Sequence, residues 1–232
     1  MKKVLLASAC LFALAAPASA ADLAARPYTK APIAPMASVY NWTGFYLGVV
    51  GGGAWESGSG DPRMKGGFVG GTGGYNWQTG NVVFGIEADG SWADVSASAS
   101  TPVLVGGAIV PFTVTSRIDA LGTVRGRLGW AVNNVLFYGT GGYAWIDNKI
   151  TAGTPGLTFS ESKWHSGWTV GAGIEAFFAP QWSVKGEYLY RSLGGETYFS
   201  GIGAPVNTGT LNLHTVQVGV NYHFGAPVVA KY

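Results

Sequence analysis

The sequence predicts an all-β chain, an eight-stranded antiparallel transmembrane up-and-down β-barrel with short periplasmic turns and four long extracellular loops. Three observations carry that prediction. The chain opens with Met1-Lys2-Lys3, an apolar run from Val4 to Ala16, and Pro17-Ala18-Ser19-Ala20. A charged start, a short apolar stretch and an A-x-A ending make residues 1–20 a signal peptide, too short to span a bilayer as a helix. The composition comes next: 37 Gly, 9 Trp, 11 Tyr and 11 Phe, with 11% charged residues. Glycine at this density opposes helices, and no later apolar run could form a helical span. The third observation is the alternation near the C-terminus. Val216, Val218, Val220, Tyr222 and Phe224 share one face of a strand, and Thr215, Gln217, Gly219, Asn221 and His223 share the other.

Cys10 is the only cysteine, and it lies inside the signal peptide. Leu6 to Ala9 before it fit a lipid-attachment motif poorly, so Cys10 is read as part of the peptide that is removed. The mature chain then has no disulfide and must hold itself by a core or by backbone pairing. Without Lys2 and Lys3, the 14 basic residues fall to 12, equal to the 12 acidic ones. There is no basic surplus to attract nucleic acid.

Residues 21–40, with Pro27, Pro32 and Pro35, lack alternation and read as a flexible periplasmic leader. The barrel is expected over residues 41–225, and 226–232 form a tail. The first strand opens at Asn41-Trp42-Thr43-Gly44, with Phe45, Leu47 and Val49 facing away from Tyr46, Gly48 and Val50. A first long loop follows, through Asp61-Pro62. The second strand, about 67–77, is so glycine-rich that its facing stays ambiguous. Gln78 to Asn81 form a tight turn. In the third strand, 82–94, Phe84, Ile86, Ala88 and Trp92 oppose Gly85, Glu87, Asp89 and Ser91.

A long loop is expected over about 95–115, holding Pro102 and Pro111. The fourth strand, 117–132, sets Ile118, Ala120, Val124, Leu128 and Trp130 against Asp119, Thr123, Arg125 and Arg127. Asn133-Asn134 is a two-residue turn able to take positive φ. The fifth strand is 135–150, the third loop 151–163 and the sixth strand 164–178. The turn Ala179-Pro180-Gln181 leads to the seventh strand, 182–198, the fourth loop, 199–210, and the last strand. Short turns and long loops alternate, as expected of an outer-membrane barrel.

With the apolar face toward lipid, Glu87, Asp89, Asp119, Glu175 and Glu187 point inward, as do Arg117, Arg125, Arg127, Lys185 and Arg191. Arg117 and Arg191 are expected near the wet outer rim. An eight-stranded barrel has little room beyond its own side chains, and unpaired buried charge is costly. The balanced signs therefore favour a salt-bridge plug over an ion path. Trp42, Trp77, Trp130, Trp168, Trp182, Tyr188, Tyr222 and Phe224 suit aromatic girdles at the two interfaces. His165 and His214 are expected near outer strand ends, within reach of each other, and are the candidate ligand residues. The loop acids Asp61, Asp147 and Glu161 lack metal-ligand spacing. The glycine runs at 51–53 and 70–71 precede no helix, so they are not phosphate cradles. No cofactor and no catalytic constellation is expected.

Gln217, Gly219, Tyr222 and Phe224 give polar-x-Gly-x-x-aromatic-x-aromatic, which resembles the sorting signal on the last strand of bacterial outer-membrane barrels. With the signal peptide, Asn41 to Gly48, Gly219 to Phe224 and Pro227 to Tyr232, the chain resembles the alphaproteobacterial outer-membrane immunogenic protein (RopB) family, similar in fold to the OmpA transmembrane domain. It departs from the sorting pattern in one respect: Gly225 to Tyr232 follow the last strand, so Phe224 is not terminal. The resemblance implies an abundant surface antigen of the outer membrane, associated with envelope integrity, and in some members with haemin binding or porin activity. Its implied partners are outer-membrane lipid, lipopolysaccharide and the barrel assembly machinery. The leading function is thus a closed structural and surface-antigen barrel, not an enzyme. The alternatives are a narrow porin and a surface haemin-binding protein.

Overall fold

The computed structural model describes residues 40–57, 63–202 and 205–225. The signal peptide, most of the leader, the tail and Asp61 lie outside the described residues. Eight strands close into one ring: β1 (Gly44–Glu56), β2 (Lys65–Thr79), β3 (Val82–Val105), β4 (Ala108–Val132), β5 (Val135–Thr154), β6 (Leu157–Ala179), β7 (Trp182–Leu193) and β10 (Leu211–His223). A two-stranded hairpin, β8 (Thr197–Tyr198) with β9 (Val206–Asn207), lies in the connection before β10. Each barrel strand pairs antiparallel with its neighbours in sequence. β1 closes the ring on β10, with Tyr46 opposite His223 and Glu56 opposite Leu213. A closed ring leaves no unpaired strand edge in lipid, which a spanning sheet requires.

Three tight turns join strands on the side of the termini. Gly80 takes φ +59° and Asn133 φ +53°, the left-handed region that asparagine tolerates. On the other side the expected long loops turn out differently. Residues 95–115 and 151–163 are not irregular; β3–β4 and β5–β6 continue as hairpins, turning at Gly106-Gly107 and Pro155-Gly156. Serine and threonine lie opposite one another there, and their hydroxyls bond across the strands: Ser98 to Thr115 at 2.9 Å, Ser100 to Thr113 at 2.8 Å and Thr151 to Ser160 at 2.9 Å. Cross-strand pairs of this kind extend pairing wherever a partner strand is present. β7 ends at Leu193 rather than running on to Tyr198.

The faces sort as the membrane demands. Phe45, Leu47, Val49, Val69, Ile86, Leu128, Ile174 and Val218 are exposed on the outer wall. Tyr46, Val50, Thr72, Asn76 and Thr140 are buried within. On β2, even-numbered side chains point inward, which glycine alternation alone left open. Trp77, Trp130, Trp168, Trp182, Tyr188 and Phe224 are exposed on the outer face, and Tyr222 is half-buried against Trp182 and Phe224. Trp42 is a correction to the girdle. It is fully buried inside the lower end of the ring, on Phe177 at 4.4 Å and His223 at 5.8 Å between ring centres. It precedes β1, so strand alternation did not govern its direction.

Candidate functional site: the barrel lumen

Three layers fill the lumen. At the periplasmic end Trp42, Val83, Leu136, Tyr138 and Phe177 form an apolar floor. At the extracellular end Phe68, Val95, Ile118, Ile146, Leu193 and Leu213 form an apolar lid. Between them lies a layer of charge. Every residue of that layer is an inward member of an alternating strand: Glu87 and Asp89 on β3, Arg125 and Arg127 on β4, Glu175 on β6, Lys185 and Glu187 on β7.

Glu87 is the hub. Its carboxylate accepts from Arg125 Nη2 at 2.6 Å, Lys185 Nζ at 2.8 Å, Arg127 Nη1 at 3.3 Å and the Tyr46 hydroxyl at 2.7 Å. Arg125 also reaches Asp89 at 3.0 Å and Glu187 at 2.9 Å. Arg127 Nη2 donates to Glu175 at 2.7 Å, and its guanidinium lies 4.1 Å from the centre of the Tyr138 ring. Glu175 accepts further bonds from the Ser183 hydroxyl at 2.6 Å and Asn221 Nδ2 at 2.7 Å, and lies 3.3 Å from His223 Nε2. Gln217 donates to Glu187 at 2.6 Å, and Thr123 to Asp89. A buried charge is tolerable when it is paired, and each of these seven has at least one opposite charge within 3.3 Å. Asp89 Oδ1, Arg125 Nε and Nη1, Arg127 Nε and Glu187 Oε1 have no hydrogen-bond partner among the described residues.

Seven of the eight residues expected in this layer are there. Asp119 is not, and neither is Arg117. Ile118 lies opposite Asn148 and Ala120 opposite Asp147, so Asp119 has no partner on β5 and forms a β-bulge. The bulge shifts the alternation. Ile118 turns inward and fully buried, whereas Arg117 and Asp119 sit outside, 2.9 Å apart, with side chains 51% and 42% exposed. Arg191 differs in another way: it is fully buried beneath the lid, not wet at the rim, and none of its guanidinium nitrogens has a hydrogen-bond partner among the described residues.

The two candidate histidines do not meet. His165 points inward and is buried, with Nδ1 2.7 Å from the Gly194 carbonyl and Nε2 2.8 Å from the Tyr198 hydroxyl. His214 faces outward on β10, stacked on Trp55 and hydrogen-bonded to Tyr188 at 2.5 Å. The barrel wall stands between them. Among the described residues no group of three or more His, Cys, Asp or Glu side chains is placed to hold a metal ion. Sequence reading missed Tyr46, Tyr138, Ser183 and Asn221 as members of the charge layer. Each lies on an inward face, and polarity on that face was the available signal.

In the pattern Gln217, Gly219, Tyr222 and Phe224, the first two point into the lumen and the aromatics point out. Gly219 is packed tightly: a Cβ there would lie 2.9 Å from Val50 and 3.3 Å from Lys185.

A ring of eight spanning strands with charge inside and an apolar belt outside is the geometry of a membrane barrel. Residues 6–224 match the family model described as Outer membrane protein beta-barrel domain. The chain belongs to this family. This outer-membrane barrel is 36% identical over 249 residues to the 31 kDa outer-membrane immunogenic protein of Brucella melitensis, across 97% of this chain and 100% of the relative. It is 37% identical over 171 residues to the 22 kDa outer membrane protein of Rhizobium leguminosarum bv. viciae, across 73% and 71%. It is 29% identical over 231 residues to the 25 kDa outer-membrane immunogenic protein of Brucella abortus, across 97% and 99%. The crystal structure of Ail, the attachment invasion locus protein of Yersinia pestis, aligns with a TM-score of 0.46 at 15% identity, over 78% of this chain and 99% of Ail. That likeness is too slight to add to what the strand ring already says. The barrel is an outer-membrane protein of a Gram-negative bacterium, of the surface-antigen kind, and its apolar outer wall meets membrane lipid.

Proposed function

We propose that this chain is a closed structural barrel that stabilises the outer membrane and displays its extracellular hairpins, without conducting solutes and without enzymatic chemistry. The observation that carries this reading is the filled lumen. An apolar floor, a layer of paired charge and an apolar lid follow one another along the axis, and each layer blocks a continuous wet path. The function is then mechanical and interfacial. The wall contacts lipid and lipopolysaccharide, the hairpins contact the outside, and Gln217, Gly219, Tyr222 and Phe224 are read by the barrel assembly machinery during biogenesis. Haemin is not assigned, because His165 and His214 do not form a pair.

The test is conductance of the refolded mature protein in a planar bilayer, with insertion shown separately by heat-modifiable migration on a gel. A silent bilayer with inserted protein is expected. Stable, ohmic steps from the inserted protein would overturn the closed-lumen reading, establish a narrow porin and make the charge layer its selectivity filter.

A further inference from the structure

The register of five adjacent strands aligns a row of polar side chains on the outer wall. Lys65 lies opposite Ser96, Ser96 opposite Arg117, Arg117 opposite Lys149 and Lys149 opposite Ser162. Arg117 belongs to this row only because of the bulge at Asp119. Two residues nearer the membrane on the three central strands stand Asp94, Asp119 and Asp147. These acids have partners: Arg117 Nε is 3.5 Å from Asp94 and 2.9 Å from Asp119, and the Ser162 hydroxyl donates to Asp147 at 2.8 Å. Lys65 and Lys149 are exposed and have no ion pair among the described residues. Arg117 and Lys149 are like charges directly opposite each other, an arrangement that is unfavourable on its own. Between them opens a groove of about 300 Å³, lined by Thr115, Arg117, Asp119, Lys149 and Thr151.

The row sits at a definite height. From the lower aromatic Trp130 to Ala120, β4 rises ~33 Å along the strand, or ~25 Å along the axis at the usual tilt, which is the height of an apolar belt. Ala120 pairs with Trp92 and Asp147, and Asp147 with Trp164, and these tryptophans are 77% and 62% exposed. Because the strands are tilted, each step along this row changes the height by about 3 Å. Arg117 and Lys149, each two residues beyond Asp119 and Asp147, therefore come just beyond the upper aromatic girdle, and Lys65 continues the oblique row. The hydroxyls of Ser98, Thr115, Thr151 and Ser160 come next. Beyond Lys65 the outer wall of β1, β10 and β7 carries Trp55, directly opposite Lys65, then His214 packed on Trp55 and on Tyr190.

We propose that this strip binds the phosphate groups of a phosphorylated glycolipid in the outer leaflet; it rests on the outer-membrane reading given above. The order of charges selects the headgroup. A zwitterionic phospholipid carries its phosphate next to the acyl chains and its ammonium further out, so it would meet the acids with phosphate and the cations with ammonium. A phosphate on a sugar ring, held outside the acyl level, meets Lys65, Arg117 and Lys149. The ring's hydroxyls then face the serine and threonine row.

The experiment uses the refolded mature barrel in vesicles. The urea midpoint is measured in zwitterionic phospholipid alone, with added phosphorylated bacterial glycolipid, with the same glycolipid after phosphatase treatment, and with inorganic phosphate. Heat-modifiable migration reports insertion in each case. A higher midpoint with the phosphorylated glycolipid only is expected. Lys149→Gln or Arg117→Gln should weaken retention of the glycolipid about fivefold per cation, corresponding to about 1 kcal/mol for each charge at a membrane surface. Lys149→Arg should retain it. Equal midpoints with phosphorylated and dephosphorylated glycolipid in an inserted barrel would overturn the proposal and leave the membrane reading intact. An equal gain with inorganic phosphate would overturn the lipid assignment. Failure to insert into any vesicle would overturn the membrane reading and the proposal with it.

Discussion

The lower and upper parts of β4 make opposite choices. Below the bulge Arg125 and Arg127 face the lumen while Val124 and Leu128 face lipid. Above it Ile118 faces inward while Arg117 faces outward. β5 and β10 change chemistry toward the same end with unbroken alternation, from Thr140 to Ile146 and from Gln217 to Leu213. β3 passes from Asp89 to Val95, although its register with β4 shifts between Trp92 and Val95. The cause is the surrounding medium. Where lipid lies outside, charge is stable only inside and only when paired. Where water lies outside, the usual arrangement of a soluble protein returns. One chain folds as both, and Asp119 marks the boundary on β4.

The contrast can be broken most severely from inside. Arg125→Leu leaves Glu87, Asp89 and Glu187 short of their shared cation. The loss should be about 3–5 kcal/mol, read as a lower urea midpoint of the refolded barrel. An unchanged midpoint would reject the paired layer as a source of stability. Ile118→Ala opens a cavity in the lid and should cost about 2–4 kcal/mol by the same measurement. A cost near zero there would show that the lid is not packed. Tyr198 on the extracellular hairpin gives a finer probe. Burial pushes its phenol up to about 12, so the folded state holds the proton after the unfolded chain has released it. Its stabilising contribution is complete below about pH 10 and falls as the pH rises toward 12. Absorbance titration of phenolate should show a component titrating near pH 12 that Tyr198→Phe removes. The smallest effect is expected at Arg117→Gln in plain phospholipid. Its ion pairs are half exposed, and the change should stay within about 0.5 kcal/mol. A cost as large as that of Arg125→Leu would abolish the distinction between the two parts of β4.

Much of this was legible in the sequence. Alternation located eight strands, and of the eight charges that the polar face assigned to the middle layer seven occupy it. What alternation cannot show is an extra residue. Arg117 and Asp119 were assigned by carrying the parity of Arg125 through position 119, and a bulge leaves no compositional mark. The hairpins beyond residue 94 were hidden for a related reason. Pro102 and Pro111, opposite each other at the edge of a long hairpin, look like loop residues until the partner strand is known. Trp42 and His165 depend on three-dimensional closure: one folds back under the ring, and the other is capped by Tyr198 from a distant hairpin. No local pattern encodes either contact.

The pairing of β1 with β10 has a consequence in time. The first strand cannot be satisfied until the last one arrives, so an unfinished chain presents two open edges and no stable intermediate ring. The strand that ends this vulnerability also carries the proposed assembly pattern. In the closed ring Gln217 and Gly219 are turned into the lumen, and only Tyr222 and Phe224 remain on the outside. A receptor that reads both halves of the pattern can therefore hold the unclosed chain and must release the completed one. Closure itself removes the proposed address.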